Sequence, residues 1–472
     1  MDRRQLLAWL TRLSAWSLVP SALLAGPRAG WAAEGDRRPI VVVGAGMAGL
    51  AAARALHDAG HRVVVLEGRD RIGGRTFTTE VGDATVDLGG AWIHGLKRNP
   101  LPELAKAYGL RIDEQELDFD TVWDPVIGGM IPDRELTELE DVIEPSWSAW
   151  WSLFTQLDDG SSFDDAIEVL LDANEVTGNA RRRARFVLEM VASATSGPID
   201  QLSFEDFVSG EADEPVGGDH VIGGGYGRLV SQLARDLDLR TSQVVEHVRH
   251  GAEGARVTIR GGDPIEASHV VVTVPLGVLK AGSIAFDPPL PTTKRRAIER
   301  LGFGSFEKVV MVFDERSWRE TFTGTLSILS GSGADRRFPY FVDMSPFAGA
   351  PTLVGIYSGH FARTAQTTRS EEQLVDGAWQ ALRSVLGPKL PEPVASRATT
   401  WTTDPFSRGS YSFVAVGSSG EDHQALAEPV GRRLLFAGEA TSVSNPQTVH
   451  GALLSGLREA RRLDRSATLP GL

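Results

Sequence analysis

The sequence predicts an α/β fold: a Rossmann-like, doubly wound nucleotide domain joined to an α+β second domain. Three observations predict it. A β-branched run, residues 39–43, opens directly into a Gly-x-Gly-x-x-Gly turn and a helical stretch. A second apolar run, Val63–Leu66, ends in the acid Glu67. Between the two runs, Leu50–Leu56 is strongly helical and Gly60 turns the chain.

The first run lacks polar alternation, so it reads as a strand buried on both faces. Gly44, Ala45, Gly46, Met47, Ala48 and Gly49 follow. Gly44 permits the tight turn, Gly46 lets backbone amides approach a pyrophosphate, and Gly49 lets the helix pack closely. The helix that follows presents unbonded N–H groups and its positive dipole end to the anion. Glu67 can accept both ribose hydroxyl protons and would repel a 2′-phosphate, which disfavours NADP. A lone glycine signature is weak; in this strand–turn–helix–strand–acid setting it is strong. Directly afterwards, Gly68-Arg69 and Gly73-Gly74-Arg75 supply positive charge and another close backbone approach beside that site.

Composition sets the outer limits. At 472 residues the chain should hold two or three domains, and its hydrophobic content of 42% is that of a globular protein. The formal charge of −14 disfavours nucleic acid. It would attract a cationic small molecule if focused in a cleft, although a solvated acidic surface is the plainer account. Cysteine is absent, so disulfides, thiolate metal sites, a catalytic thiol and a cysteine-linked cofactor are excluded. No metal is expected.

Residues 1–33 read as an export signal. Arg3-Arg4 precede two leucines, an apolar stretch follows, and Ala32-Ala33 offers a cut. The pattern resembles a twin-arginine signal, so the export machinery of that route is an expected partner. The expected location is periplasmic or secreted, with cytoplasmic as the alternative. The other reading is an amphipathic helix of the folded protein. No stable membrane anchor is expected in the mature chain.

Further motifs carry a family resemblance. They are Gly68–Thr76, Asp87–Gly95, Gly223–Leu229, Val270–Leu279, Leu434–Thr441 and Thr448–Gly456. In this order, across nearly all of 38–465, the chain resembles the flavin amine oxidases. The resemblance implies an amine oxidase fold with a discontinuous, GR2-type FAD domain from 38–95, 220–285 and 400–465. The substrate domain would comprise 96–219 and 286–399. It implies noncovalent FAD, with Gly89, Gly90, Ala91 and Trp92 beside the flavin ring and Val244 at the adenine. Glu439 would lie near the phosphate and ribityl chain, with Gly438, Thr448, Val449 and Trp401 also on the cofactor.

Within the family, Trp92-Ile93-His94-Gly95, the Arg408–Gly420 stretch and the Lys308 segment are most similar to polyamine oxidases and lysine-specific histone demethylases. The demethylases' long tower insertion has no counterpart here. The implied activity is oxidation of a polyamine or related amine. Hydride would pass to flavin N5, the imine would hydrolyse to an aldehyde, and O2 would be reduced to H2O2. Three alternatives stay open: an L-amino-acid or aromatic monoamine oxidase, a dehydrogenase using an electron carrier, and a noncatalytic FAD-fold binding protein.

By the resemblance, Lys308 holds a water against flavin N5; the bland reading is a lysine snorkelling at a strand end. His94, Tyr411 and Phe406 are candidates to contact the amine. Asn445 stands where the family often has a second cage aromatic, with Trp401 or Phe406 able to compensate. Glu211, Asp213, Glu214 and Asp219 could draw a polycation to the tunnel mouth, or form a solvated loop. Asp118–Asp124, with Trp123, is a weaker stretch of the same kind. His450 is assigned to packing.

Periodicity predicts helices over Leu101–Leu110, Ile131–Leu157, Ala180–Ala194 and Glu371–Leu386. It predicts strands over Gln243–Arg249, Phe306–Phe313, Phe338–Val342 and Thr352–Tyr357.

Overall fold

The computed structural model describes residues 31, 37–115, 117, 121–136, 157, 160–193, 195–204, 217–329 and 337–472. The expected export signal therefore lies outside the described residues apart from Trp31. The Trp31 N–H donates to Arg462 O at 3.2 Å, and its ring lies near the guanidiniums of Arg432 and Arg462.

Strand β1 (Ile40–Val43) leads into helix α1 (Met47–Asp58) and strand β2 (Val63–Leu66). β1 and β2 sit in a five-stranded, wholly parallel sheet. Its order is Asp238–Arg240, β2, β1, His269–Val272, Leu434–Phe436. All four β1 residues are buried, and the period of two splits them between the faces. Ile40 and Val42 join a core with α1 and the last helix, Val449–Leu463. Val41 and Val43 join a core under the sheet of strands Ile265–Ala267, Gly254–Ile259, Val245–Gly251 and Ala285–Asp287. α1 and the last helix approach closely: a Cβ on Gly456 would stand 2.1 Å from Ala48 O.

A seven-stranded sheet forms the other half. Its order is Ala395–Ala398, Phe306–Val312, Thr352–Ser358, Tyr340–Asp343, Thr325–Ile328, Thr121–Asp124, Gly129–Met130. Along Phe306–Val312, Val309 and Met311 face a core with helix Glu371–Leu386. Val310 and Val312 face the opposite way, toward Leu88 and Trp401. Lys308 shares the parity of the second set, so alternation aims it at the nucleotide half.

Some bounds differ from expectation. The first of the predicted helices runs Pro100–Ala107, with Asn99 Oδ1 accepting from Leu101 N at 3.0 Å as its cap. The third runs Gly178–Ser193, and most of Ile131–Leu157 lies outside the described residues. The strand expected from Gln243 begins at Val245, because Gln243 N is already bonded to Glu67 O and Val244 O to Arg260 N. After Gly223 the helix starts only at Gly227: Gly224 and Gly225 hold φ of +78° and +82°, and Asp87 takes the Tyr226 N–H. Among the described residues, no helix is long and apolar enough to cross a membrane.

Candidate FAD and amine site

A cavity of about 480 Å³ runs from the glycine turn after β1 to the inner face of the seven-stranded sheet. Its nucleotide end is built as a zipped pair of turns. A Cβ on Gly49 would stand 2.0 Å from Gly44 O, so only glycine lets α1 start there. Gly73 N donates to Ala45 O at 2.8 Å, which lays Gly73-Gly74 against the first turn. Glu67 is buried beneath, one oxygen accepting from Ala45 N at 2.8 Å and the other from Arg69 N at 2.9 Å. Each oxygen keeps lone-pair capacity for a hydroxyl. Val244 lines this end as well.

Phe406 lines the same end, beside Gly68 and Arg69. Its ring stands where a Cβ on Gly68 would be, 2.7 Å away, and 5.5 Å from the Arg69 guanidinium. The turn closed by the Asp404 carboxylate, which accepts from Phe406 N and Arg69, sets this position. A role for Phe406 in framing the amine is corrected accordingly.

The second acid is locked from several sides. Glu439 accepts from Arg75 at 2.9 Å, from Ser412 Oγ at 2.6 Å and from Gln447 N at 3.1 Å. Thr448 Oγ1 accepts from Gly451 N and caps the last helix, whose first turn meets the cavity at Val449 and His450. Val449 packs on Gly90, and Gly89 lies so near Arg75 O that a Cβ there would be 1.7 Å from it. Gly89, Gly90, Ala91 and Trp92 all line the cavity.

At the inner end Lys308, 3% exposed, donates from Nζ to Gly89 O at 2.7 Å and Asp87 O at 3.0 Å. An ammonium has three N–H donors, so one is left for the cavity. Burial lowers its pKa to about 8, against the attraction of Asp87. Burial also raises the Asp87 carboxyl to about 6, opposed by the Thr78 hydroxyl and then Lys308. The Trp92 ring centroid lies 4.7 Å from Lys308 Nζ, and Trp401 Nε1 donates to Leu88 O at 3.1 Å.

Tyr411 lines the slot, 5.7 Å from the Phe306 ring, with Tyr340 and Val342 beside them. Burial raises the Tyr411 phenol well above its usual value, so it stays protonated. His94 lies on the lining with Nδ1 2.6 Å from Asp219 Oδ1, a pair formed across adjacent strands. Asn445 does not line the cavity. It reaches the site through His450, whose Nε2 is 3.0 Å from Asn445 Oδ1. His450 is part of the lining and not mere packing; burial, then His94, lowers its pKa to about 3, so it is neutral. Glu211, Asp213 and Glu214 lie outside the described residues, as do residues 118–120.

Sequence reasoning passed over Phe306, Tyr340, Thr195 and Gln115. Phe306 was within reach, being two residues before Lys308 on one strand face. Tyr340 enters only through strand pairing, which places it beside Ile356.

These residues fit a dinucleotide carrying an extended ring. Arg69 Nε is buried without a hydrogen-bond partner among the described residues. Gly46 has nothing within 4 Å of where a Cβ would be, an open face beside a helix start.

The family model for flavin-containing amine oxidoreductases matches residues 47–464. The chain belongs to that family, and FAD is its cofactor, held without a cysteine link. A lysine-specific histone demethylase 1 homolog 2 of Arabidopsis thaliana is 37% identical, over 91% of this chain and 59% of that protein. The protein FLOWERING LOCUS D of the same plant is 34% identical, over 93% of this chain and 57% of its own. The chain thus spans little more than half the length of these relatives. A putrescine oxidase solved with putrescine superposes with a TM-score of 0.70 at 26% identity, covering 90% of this chain and 98% of that one.

Proposed function

We propose that the protein is an FAD-dependent amine oxidase acting on a polyamine or related amine, with O2 as electron acceptor and H2O2 as product. The observation that carries the reading is Lys308, buried and aimed into an aromatic slot that adjoins the dinucleotide cradle. Bound FAD supplies the hydride acceptor. The chain's own residues do the rest. Phe306, Tyr340, Trp401 and Tyr411 exclude water, which favours the neutral amine whose lone pair assists C–H cleavage. Their faces also suit a cation before it loses its proton. Lys308 offers its remaining N–H to a water in the slot. His94 and Asp219 hold each other and present a polar edge on the lining. The putrescine oxidase likeness and the net negative charge support an amine of this class. Export by a twin-arginine signal in residues 1–33 is part of the proposal, and fits a route that carries proteins already loaded with cofactor.

Anaerobic stopped flow tests the chemistry. Putrescine, spermidine, spermine or their acetylated forms should bleach the visible flavin band, and air should restore it with peroxide. Bleaching by amino acids alone would move the substrate to a carboxylate-bearing class. Restoration only by an added electron carrier would make the protein a dehydrogenase.

A further inference from the structure

No motif marks Gln115, yet three walls of the site meet on it. It follows the strand Ile112–Glu114 and is 4% exposed. Its backbone N–H donates to Asp219 O at 2.8 Å. Its side-chain Oε1 accepts from Trp92 Nε1 at 2.9 Å, and its Nε2 donates to Met344 Sδ at 3.2 Å. Asp219 is the partner of His94. Trp92 belongs to the turn that lines the flavin cavity, and Met344 follows the strand that carries Tyr340 and Val342.

We infer that Gln115 is a positioning residue: its amide oxygen fixes the Trp92 indole so that the ring stays across Lys308. The inference rests on the reading of Lys308 given above. The Trp92 indole is half-buried, and Gln115, itself buried, supplies the acceptor for its N–H. The Trp92 carbonyl is held separately, by Tyr226 OH at 3.1 Å, so the backbone is anchored while the ring still has its side-chain torsions to settle. The Gln115 bond settles them. Attraction between a cation and an aromatic face depends on the face being presented, and a ring turned to seek another acceptor presents its edge. Lys308 is tied to Asp87 O and Gly89 O on one side. The indole defines the other side, and together they leave one direction for the remaining N–H.

The test uses the FAD-loaded full chain, reduced with dithionite so that no substrate identity is assumed. Reoxidation by O2 and the visible spectrum of the oxidised flavin are read for the wild type, Lys308→Met, Gln115→Leu, Trp92→Phe and the Gln115→Leu/Trp92→Phe pair. Gln115→Leu and Trp92→Phe should each slow reoxidation by about fivefold or more, and the pair should be no slower than the worse single variant, since both remove one bond. Both should move the flavin spectrum in the direction that Lys308→Met moves it. A purely structural role would leave that spectral direction unmatched. If Lys308→Met is slow while Gln115→Leu and Trp92→Phe match the wild type, the inference is overturned and the reading of Lys308 stands. If Lys308→Met is itself without effect, both fall. Trp92→Phe keeps a ring of similar shape and carries the test if Gln115→Leu does not fold.

Discussion

Lys308 Nζ donates to Gly89 O at 2.7 Å, so a strand of the seven-stranded sheet is fastened to a turn that lines the cavity. The contact joins two segments 219 residues apart and leaves a buried ammonium beside the cavity. Because burial lowers its pKa to about 8, the lysine changes charge within the ordinary working range.

The expected consequence is a pH-dependent oxidative half-reaction. Below pH 8 the ammonium is charged and favours negative charge growing on oxygen; above it that help is lost. Reoxidation of reduced flavin should be faster on the acid side, with an inflection near pH 8 that vanishes in Lys308→Met. A flat profile in the wild type between pH 6 and 10 would sink the assignment.

Two glycines separate cofactor binding from folding. At Gly46 an added methyl meets no protein atom within 4 Å. Gly46→Ala should therefore leave the apoprotein as stable as before, while crowding the dinucleotide and weakening FAD by tenfold or more, about 1.4 kcal/mol. At Gly89 the methyl would lie 1.7 Å from Arg75 O, so Gly89→Ala must displace the backbone and lower the stability of the apoprotein itself. Calorimetry of both apoproteins, with FAD titrations, checks the contrast.

The nucleotide half was legible in sequence because its demands are local. Gly44, Gly49 and Glu67 do their work within one strand–turn–helix–strand unit, and glycine is required wherever backbone approaches backbone. The aromatic slot was legible only where a motif carried it, as at Lys308 and Tyr411. Gln115 and Tyr340 are placed by pairing with strands distant in sequence, which no local pattern encodes. Phe406 was misplaced for the same reason: its neighbour Asp404 is held by Arg69, 335 residues away. Asn445 was read by alignment of position, whereas its side chain, in the turn before the last helix, pairs with His450 in that helix's first turn.

Phe306 tests the slot directly. Its ring is the neighbour of Tyr411 at 5.7 Å, on the strand face that carries Lys308. Phe306→Ala should raise KM by about tenfold, in line with roughly 0.5–1.5 kcal/mol for a lost aromatic pairing. The flavin reduction rate at saturating amine should change less, because the cradle at Glu67 and Glu439 is untouched. A fall in the reduction rate with KM unchanged would show instead that Phe306 acts on the amine in the transition state and not on binding.

Lys294 gives a prediction about stability alone. It is 2% exposed, donates to Ala425 O at 3.1 Å and Leu426 O at 2.5 Å, and sits 4.1 Å from the Phe436 ring. It thus holds the end of helix Gly420–Ala427 against the strand that leads to Glu439. Burial lowers its pKa to about 7, with Glu459 and Glu428 opposing. Unfolded lysine titrates near 10.4, so between about pH 7 and 10 the unfolded chain binds a proton that the folded chain does not. Stability from this group must therefore rise with pH across that window, by at most about 1.4 kcal/mol per unit. Lys294→Met leaves two carbonyls without a donor at every pH, but it removes this slope. The wild type's advantage over the variant should be larger at pH 9 than at pH 6.5 in denaturant unfolding of the FAD-loaded proteins. Lys308 titrates in the same range and is common to both chains, so it cancels in the difference. An advantage that is constant with pH would mean that Lys294 is charged throughout, stabilised by Glu459 and Glu428 more strongly than burial opposes it.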